Sequence, residues 1–261
     1  MNFHVLTLFP EMIESVAGTS ILGRAEKKGL ISVTPVNIRD YTDDPHGKVD
    51  DYPYGGGPGM VMKAQPVYDC YTDVRKHCGE NTACVFLTAQ GKTFDQKMAK
   101  EYAVFEDIIL LCGHYEGIDE RVIEEIGPDE VSLGDFVLTG GELPALCFID
   151  CVSRLVPGVL HNDDSAGEES FEGNLLEYPQ YSRPEVWMGH AVPDIILSGD
   201  HGAVDRYRLE EAEKRTAERR PDLYEKYLAE KPPEKKKRKR KHKSTDALNA
   251  PGIPADSGQD S

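Results

Sequence analysis

The 261-residue chain has no CxxC pair among its six cysteines, no apolar stretch approaching a membrane span and no internal repeat. Each absence removes a class of protein. Cys70, Cys78, Cys84, Cys112, Cys147 and Cys151 lack the paired spacing of a zinc site or a thiol–disulfide motif, and a chain of this length does not need disulfide staples. Cys147 and Cys151 stand one helical turn apart with no histidine near them in sequence, and read as two small apolar residues on one buried helix face. The longest purely aliphatic stretch, Ile108 to Leu111, is far below the ~20 residues of a membrane helix. Pro10 and Glu11 fall where a signal peptide would carry its apolar region. A cytoplasmic protein with no membrane partner is expected.

A positive net charge is also missing. The formal charge is -16, and because the last thirty residues hold eight Lys/Arg against four Asp/Glu, residues 1–231 carry -20. Such a body repels polyanions, so a nucleic-acid partner has to be argued from local features. Two nucleotide-binding signatures fail as well. Gly91, Lys92 and Thr93 end a strand-to-helix junction as a phosphate loop would, but Phe86 stands where that loop needs glycine. No GxGxxG follows the first strand.

What is present is an alternation of strands and helices. Asn2 to Leu8 reads as a strand, and Pro10 opens a helix at the position where its missing N–H costs nothing. A helix follows from Ser20, read as its cap, to Lys28, and then a strand from Ile31 to Ile38. Residues 40–60 form a long loop that ends in GGGPGM. Helices are predicted over Gln65–Lys76, Thr93–Tyr102, Asp119–Ile126 and Glu142–Leu155, and strands over Ala83–Leu87, Asp107–Cys112 and Glu130–Leu133. The pattern predicts an α/β fold with a mostly parallel sheet and helices on both faces. Residues 161–173 shift to Asp, Glu, Ser and Gly and read as a hinge. Two more helices, Asp205–Arg219 and Pro221–Glu230, follow a turn-rich stretch, and the tail from Pro232 is low-complexity.

The segments richest in chemistry are CGHYEGIDERV (Cys112–Val122) and SLGDFVLTGGELPA (Ser132–Ala145). Each runs from a strand end into a glycine-rich loop, and in an open parallel sheet such ends line the ligand crevice. Taken singly the residues are ordinary: Asp119 as an N-cap, Glu116 and Glu120 as solvated acids, Gly140 and Gly141 as a turn. GGGPGM (Gly55–Met60) offers backbone amides with no side chain in the way, or a plain tight turn.

Together with PYGGGPGM (Pro53–Met60), SRLVPGVL (Ser153–Leu160), ESFEGNLLEYPQYSRPEVW (Glu169–Trp187) and VPDIILSGDH (Val192–His201), these segments closely resemble the bacterial tRNA (guanine-N1)-methyltransferase family, over about residues 1–231. The resemblance implies S-adenosylmethionine as methyl donor, guanosine 37 of tRNA as acceptor, and a homodimer whose active sites are shared between chains. It also implies the SPOUT fold, with a C-terminal trefoil knot that no periodicity could reveal, and a small, mainly helical C-terminal domain. The domains so expected are a SPOUT methyltransferase domain (1–160), a mobile linker carrying the general base (161–173), an RNA-binding helical domain (174–231) and a disordered tail, basic and then polar (232–261).

By the same resemblance the donor pocket comprises Phe86, Leu87, Gly113, Tyr115, Glu116, Leu133, Gly134, Asp135, Phe136, Val137, Leu138, Gly140 and Gly141. The general base is Glu169, with Arg154 holding the guanine O6. Two positions depart from the family: alanine at 89, where proline is usual, and glutamate at 169, where aspartate is more frequent. Magnesium is associated with the family's activity, and Glu116 and Glu177 are candidate oxygen ligands, although no ligand cluster is visible in the sequence. RNA contacts are expected from His46, Asp50, Gly55, Gly57 and Gly59 in the first domain, with Arg24, Lys27, Lys28, Arg39 and Lys48 as further cations there. In the second, Lys214, Arg215, Arg219 and Arg220 crowd one helix end, either as a phosphate-binding patch or as complements to the helix dipole. Two rival readings are a SPOUT enzyme acting on the ribose 2'-oxygen and an RNA-binding protein that has lost catalysis.

Overall fold

The computed structural model describes residues 1–160 and 170–231. Its elements run β1 (Asn2–Thr7), α1 (Pro10–Ala17), α2 (Ser20–Lys27), β2 (Ser32–Asn37), β3 (Asp50–Asp51), β4 (Val61–Met62), α3 (Ala64–His77), β5 (Thr82–Thr93), α4 (Gln96–Tyr102), β6 (Asp107–Cys112), α5 (Glu120–Ile126), β7 (Asp129–Ser132) and α6 (Glu142–Ser153). After the undescribed stretch come β8 (Val186–Trp187), β9 (His190–Ala191), α7 (Asp194–Leu197), α8 (His201–Arg219) and α9 (Pro221–Glu230).

Five strands form one sheet in the order β2-β1-β6-β5-β7, and every pairing in it is parallel. The central strand β6 is buried at all six positions. Ile108, Leu110 and Cys112 point into a core shared with α1, α2, α4 and α6, while Ile109 and Leu111 point into a second core built with α3 and α5. A continuous apolar run is what a strand covered on both faces requires, and each such side chain contributes about 1.5–3 kcal/mol by burial. The expected α/β class, with helices on both faces of a parallel sheet, is met.

Several expected boundaries move, each for a physical reason. Strand β5 does not stop at Leu87 but continues to Thr93, with a register shift against β7 between Leu87 and Lys92. At Gly91 a Cβ would overlap the Val131 backbone, so only glycine lets the irregular stretch return to the sheet. Helix α4 accordingly starts later, at Gln96, where the Asp95 carboxylate accepts the Met98 N–H at 2.8 Å. Ser20 is not the cap of α2; Thr19 holds that position, and its hydroxyl donates back to the Val16 carbonyl instead. The expected loop over 40–60 is entered through a 3-10 turn (Ile38–Tyr41) and interrupted by β3, which pairs antiparallel with β4 just beyond it. Cys147 is exposed and Cys151 only half-buried, so the expected pair on one buried helix face is not met.

In the C-terminal segment Met188 and Gly189 both have positive φ (50° and 83°), the geometry of a tight two-residue hairpin between β8 and β9. Helix α8 begins at His201, earlier than expected, because Asp200 caps Ala203 N–H at 3.0 Å. Within it the buried Thr216 hydroxyl donates to the Ala212 carbonyl and accepts the Leu176 N–H. Glu213 takes hydrogen bonds from Tyr227 and Lys231 and so fastens α9 to α8. The expected hinge base Glu169, its neighbour Glu168 and the tail 232–261 lie outside the described residues. Among the described residues no helix is long and apolar enough to cross a membrane.

Candidate active site

Parallel strands deliver their C-terminal ends to one side of the sheet, and β5, β6 and β7 open there into a cavity of about 240 Å³. Its walls are the irregular stretch of β5, the loop from Gly113 to Gly117 and the loop from Leu133 to Gly141. Twelve of the thirteen expected donor-pocket residues line it: Phe86, Leu87, Gly113, Tyr115, Glu116, Leu133, Gly134, Phe136, Val137, Leu138, Gly140 and Gly141. Asp135 is exposed and is not among the lining residues. The lining also includes residues that the sequence did not single out for the pocket, chiefly Thr88, Gln90, His114, Ser132, Thr139 and Pro144. Position in the irregular β5 stretch was the signal for the first two, but only if the strand is carried past Leu87.

The two glycine loops are laced together. Gly141 N–H donates to the Gly113 carbonyl at 2.9 Å, and His114 pairs with Gly140 as an isolated bridge. A Cβ on Gly141 would sit 2.6 Å from Cys112 Cα, which no side chain tolerates; the glycine is there so that the loop can lie against β6. Burial, and then the nearby Glu142, push the Cys112 thiol well above its ordinary range, so it stays an inert packing group.

The loop after β3 is tied to the same rim. Glu116 N–H donates to the Met60 carbonyl, and Met62 N–H to that of Gly117. Gly59 lies so close to the Glu116 carboxylate that a Cβ would overlap it. Arg39 donates to the Gly47 carbonyl at 3.2 Å and to the Tyr115 hydroxyl at 3.4 Å, linking the 42–48 turn to the cavity. That turn is held by Asp44, which accepts His46 N–H and Lys48 N–H and whose carboxyl is thereby kept below its ordinary range. Gly55, Gly57 and Gly59 all have positive φ, and Tyr54 beside them is 99% exposed. Asp50, in β3, is half-buried.

The other expected residues lie apart from the cavity. Lys214, Arg215 and Arg219 are on α8, and Arg220 at its end is held by two hydrogen bonds to Asp222 at 2.9 and 2.7 Å, so the patch presents three cations more freely than the fourth. Arg154 closes the C-terminal end of α6. Pro144 lines the cavity from the first turn of that helix, so the two residues are separated along it by about 15 Å.

One group of three could present metal-ligand atoms among the described residues: His4, Cys78 and Asp107, at the opposite end of the sheet from the cavity. Its atoms are already committed. Asp107 Oδ1 meets His4 Nε2 at 3.1 Å and accepts Asn2 Nδ2 at 3.0 Å, Oδ2 accepts Gly79 N–H at 3.1 Å, and the Cys78 thiol donates to the Val74 carbonyl. The set reads as a structural tie.

The family model described as tRNA (Guanine-1)-methyltransferase TrmD matches residues 1–226. Proteins named tRNA (guanine-N(1)-)-methyltransferase are similar over nearly their whole length. That of Lachnospira eligens is 57% identical over 228 residues, covering 87% of this chain and 97% of its own. Those of Ruminiclostridium cellulolyticum and Clostridioides difficile are 54% and 55% identical, with 87% of this chain covered in each case and 97% and 98% of theirs. With a match of that extent, the chain belongs to the tRNA (guanine-1)-methyltransferase TrmD family.

Proposed function

We propose that the chain transfers the methyl group of S-adenosylmethionine to N1 of guanosine 37 in tRNA. Family membership and the names of the relatives support the reaction. The single observation that carries the site is the cavity at the strand ends, where two glycine loops meet. Its chemistry fits the donor: backbone amides and carbonyls can bind the adenine edge and ribose, while Leu87, Leu133 and Leu138 can pack on the faces of the adenine ring. When bound, S-adenosylmethionine supplies an electrophilic methyl group. Alanine at 89 removes no side-chain donor or acceptor from this lining.

Guanine N1 carries a proton at neutral pH and becomes nucleophilic only on losing it, which calls for a general base. Glu169 takes that proton in this reading, and Arg154 donates to O6 as negative charge develops there, a contact of the kind worth about 3 kcal/mol in the transition state. Magnesium enters this reading only as the ion associated with the family: Glu116 lines the cavity and Glu177 does not, and among the described residues neither belongs to a group of three side chains that could ligate an ion.

The 15 Å between Pro144 and Arg154 along α6 supports sites shared between two chains, since one arginine side chain cannot return to the pocket of its own helix start. Met12 and Val16 on α1 and Leu143 and Cys147 on α6, which touches α1, are exposed, and in this reading they are the apolar positions that a homodimer would cover. Leu143, Cys147, Asp150 and Arg154 share one helical face, so the same contact would carry Arg154 to the partner's cavity. The trefoil knot, the division at the 161–173 linker, RNA binding by the segment after it and a cytoplasmic location belong to this proposal too.

Transfer of labelled methyl from the donor to tRNA, compared with tRNA altered at position 37, tests the reading. Loss of transfer on the altered tRNA, and recovery of N1-methylguanosine from the natural one, is the expected result. Methyl on a ribose oxygen, or none at all, would establish one of the rivals. Glu169→Gln should lower single-turnover transfer about 10²- to 10⁴-fold with donor affinity kept; full activity in that variant, with loss in Glu168→Gln, moves the base by one residue.

A further inference from the structure

Beneath the cavity lies a charged side chain to which the proposed reaction gives no task. Glu142, the first residue of α6, is 2% exposed. Its Oε1 accepts the Thr7 hydroxyl at 2.8 Å, and the Thr7 oxygen in turn accepts Phe9 N–H at 2.9 Å. Its Oε2 lies 4.0 Å from Nδ1 of His114, a cavity residue. That nitrogen is buried and has no hydrogen-bond partner. The Phe9 ring packs on the His114 imidazole with centroids 4.9 Å apart, and the Tyr115 ring meets it edge-on at 5.0 Å. The contacts therefore close on themselves, from Phe9 N–H through Thr7, Glu142 and His114 back to the Phe9 ring.

We infer that Glu142 is a positioning residue for the donor pocket, setting the orientation of His114 and, through it, the spacing of the two glycine loops. A buried carboxylate is costly unless it is paired, and this one has a neutral hydroxyl on one oxygen and the orphaned imidazole nitrogen 4.0 Å from the other. Gly140 is fitted to the same pair: a Cβ there would overlap Glu142 Oε2 and lie 2.6 Å from His114 Nδ1. The residue that bridges to His114 is thus one whose side chain has been left out to make room for the acid–imidazole contact. Neither Glu142 nor Thr7 lines the cavity, so any effect they have on the donor passes through His114 and the loops.

The inference rests on the cavity being the donor pocket, and the test separates the two. Donor affinity is measured by calorimetry with S-adenosylmethionine on the full chain and on Glu142→Gln, His114→Gln and the double variant. Wild-type protein that binds no donor refutes the pocket assignment itself. If it binds, Glu142→Gln and His114→Gln should each weaken binding about tenfold, and the double variant should be no weaker than the poorer single one, because both break one contact. In steady state the loss should fall on the KM for the donor more than on kcat. The His114 imidazole nitrogen signals should shift in Glu142→Gln, which a merely structural change at the start of α6 would not require. Donor affinity within twofold of wild type in folded Glu142→Gln, or additive losses in the double variant, overturns the inference. Should Glu142→Gln fail to fold, Thr7→Val, which releases Glu142 Oε1 from outside the cavity, decides by the same affinity criterion.

Discussion

At the scale of single residues, glycine does two different jobs in this chain. Gly29, with φ of 69° and open space where a Cβ would stand, ends α2 in the left-handed conformation that favours glycine. Gly29→Ala should therefore cost about 1 kcal/mol of stability and leave donor affinity unchanged. Gly141 has ordinary backbone angles but no room, since its Cβ would meet Cys112 Cα and the Gly113 nitrogen, both main-chain atoms that cannot turn aside. Gly141→Ala should push the 133–141 loop away from Gly113, destabilise by about 1–3 kcal/mol as overpacking does, and weaken donor binding at least tenfold. Thermal unfolding and calorimetry on the two variants give the comparison. Equal donor affinities in both would mean that the loop contact does not shape the pocket.

Elements are held to one another by a few polar ties, and Asp107 at the start of β6 is the densest of them. Burial by itself would raise its carboxyl pKa; the hydrogen bonds from Gly79 N–H, His4 and Asn2 outweigh it and hold the group below its ordinary range. A depressed carboxylate contributes stability above its unfolded value, near pH 4, and loses it as the pH falls through the folded value. Asp107→Ala should lower stability at pH 7 by about 2–3 kcal/mol, and the gap to wild type should narrow below pH 4, as read from urea midpoints. None of these ties was legible beforehand. Apolar patterning located β6 to the residue and identified α5 with Asp119 as its cap, because a strand buried on both faces and a capped helix leave local marks. The end of β5 was missed because Gly91 reads as a loop residue, whereas here it serves a close approach to β7. Most of the pocket was legible only through family resemblance, since glycines in a turn and glycines against a ligand look alike in one sequence. Glu142 left a weaker mark still: an acid at a helix start reads as a dipole complement, and only packing reveals it as buried.

For the whole molecule the charge and the symmetry set the terms. A body carrying -20 over residues 1–231 must meet a polyanion through local cations, and deleting residues 232–261 should weaken tRNA binding mainly at low salt while leaving donor affinity intact. The shared site has a sharper consequence. In a two-fold dimer both sites are equivalent, so a chain with an obstructed pocket and a chain lacking the arginine are each inactive as homodimers. Gly113→Val supplies the first lesion, because even a methyl group at Gly113 would come within 3.2 Å of the Phe86 ring, and Arg154→Ala supplies the second. In a mixed dimer one site would join the open pocket of the second chain to Arg154 of the first, and the other site would carry both lesions. Random exchange at equal concentrations makes about half of the dimers mixed, so about a quarter of all sites should be intact. If pocket and arginine came from the same chain, every site would carry one lesion and mixing would restore nothing. Co-refolding the two variants and measuring methyl transfer to tRNA distinguishes these arrangements: recovery toward a quarter of wild-type activity supports the shared site, and no recovery despite demonstrated subunit exchange refutes it.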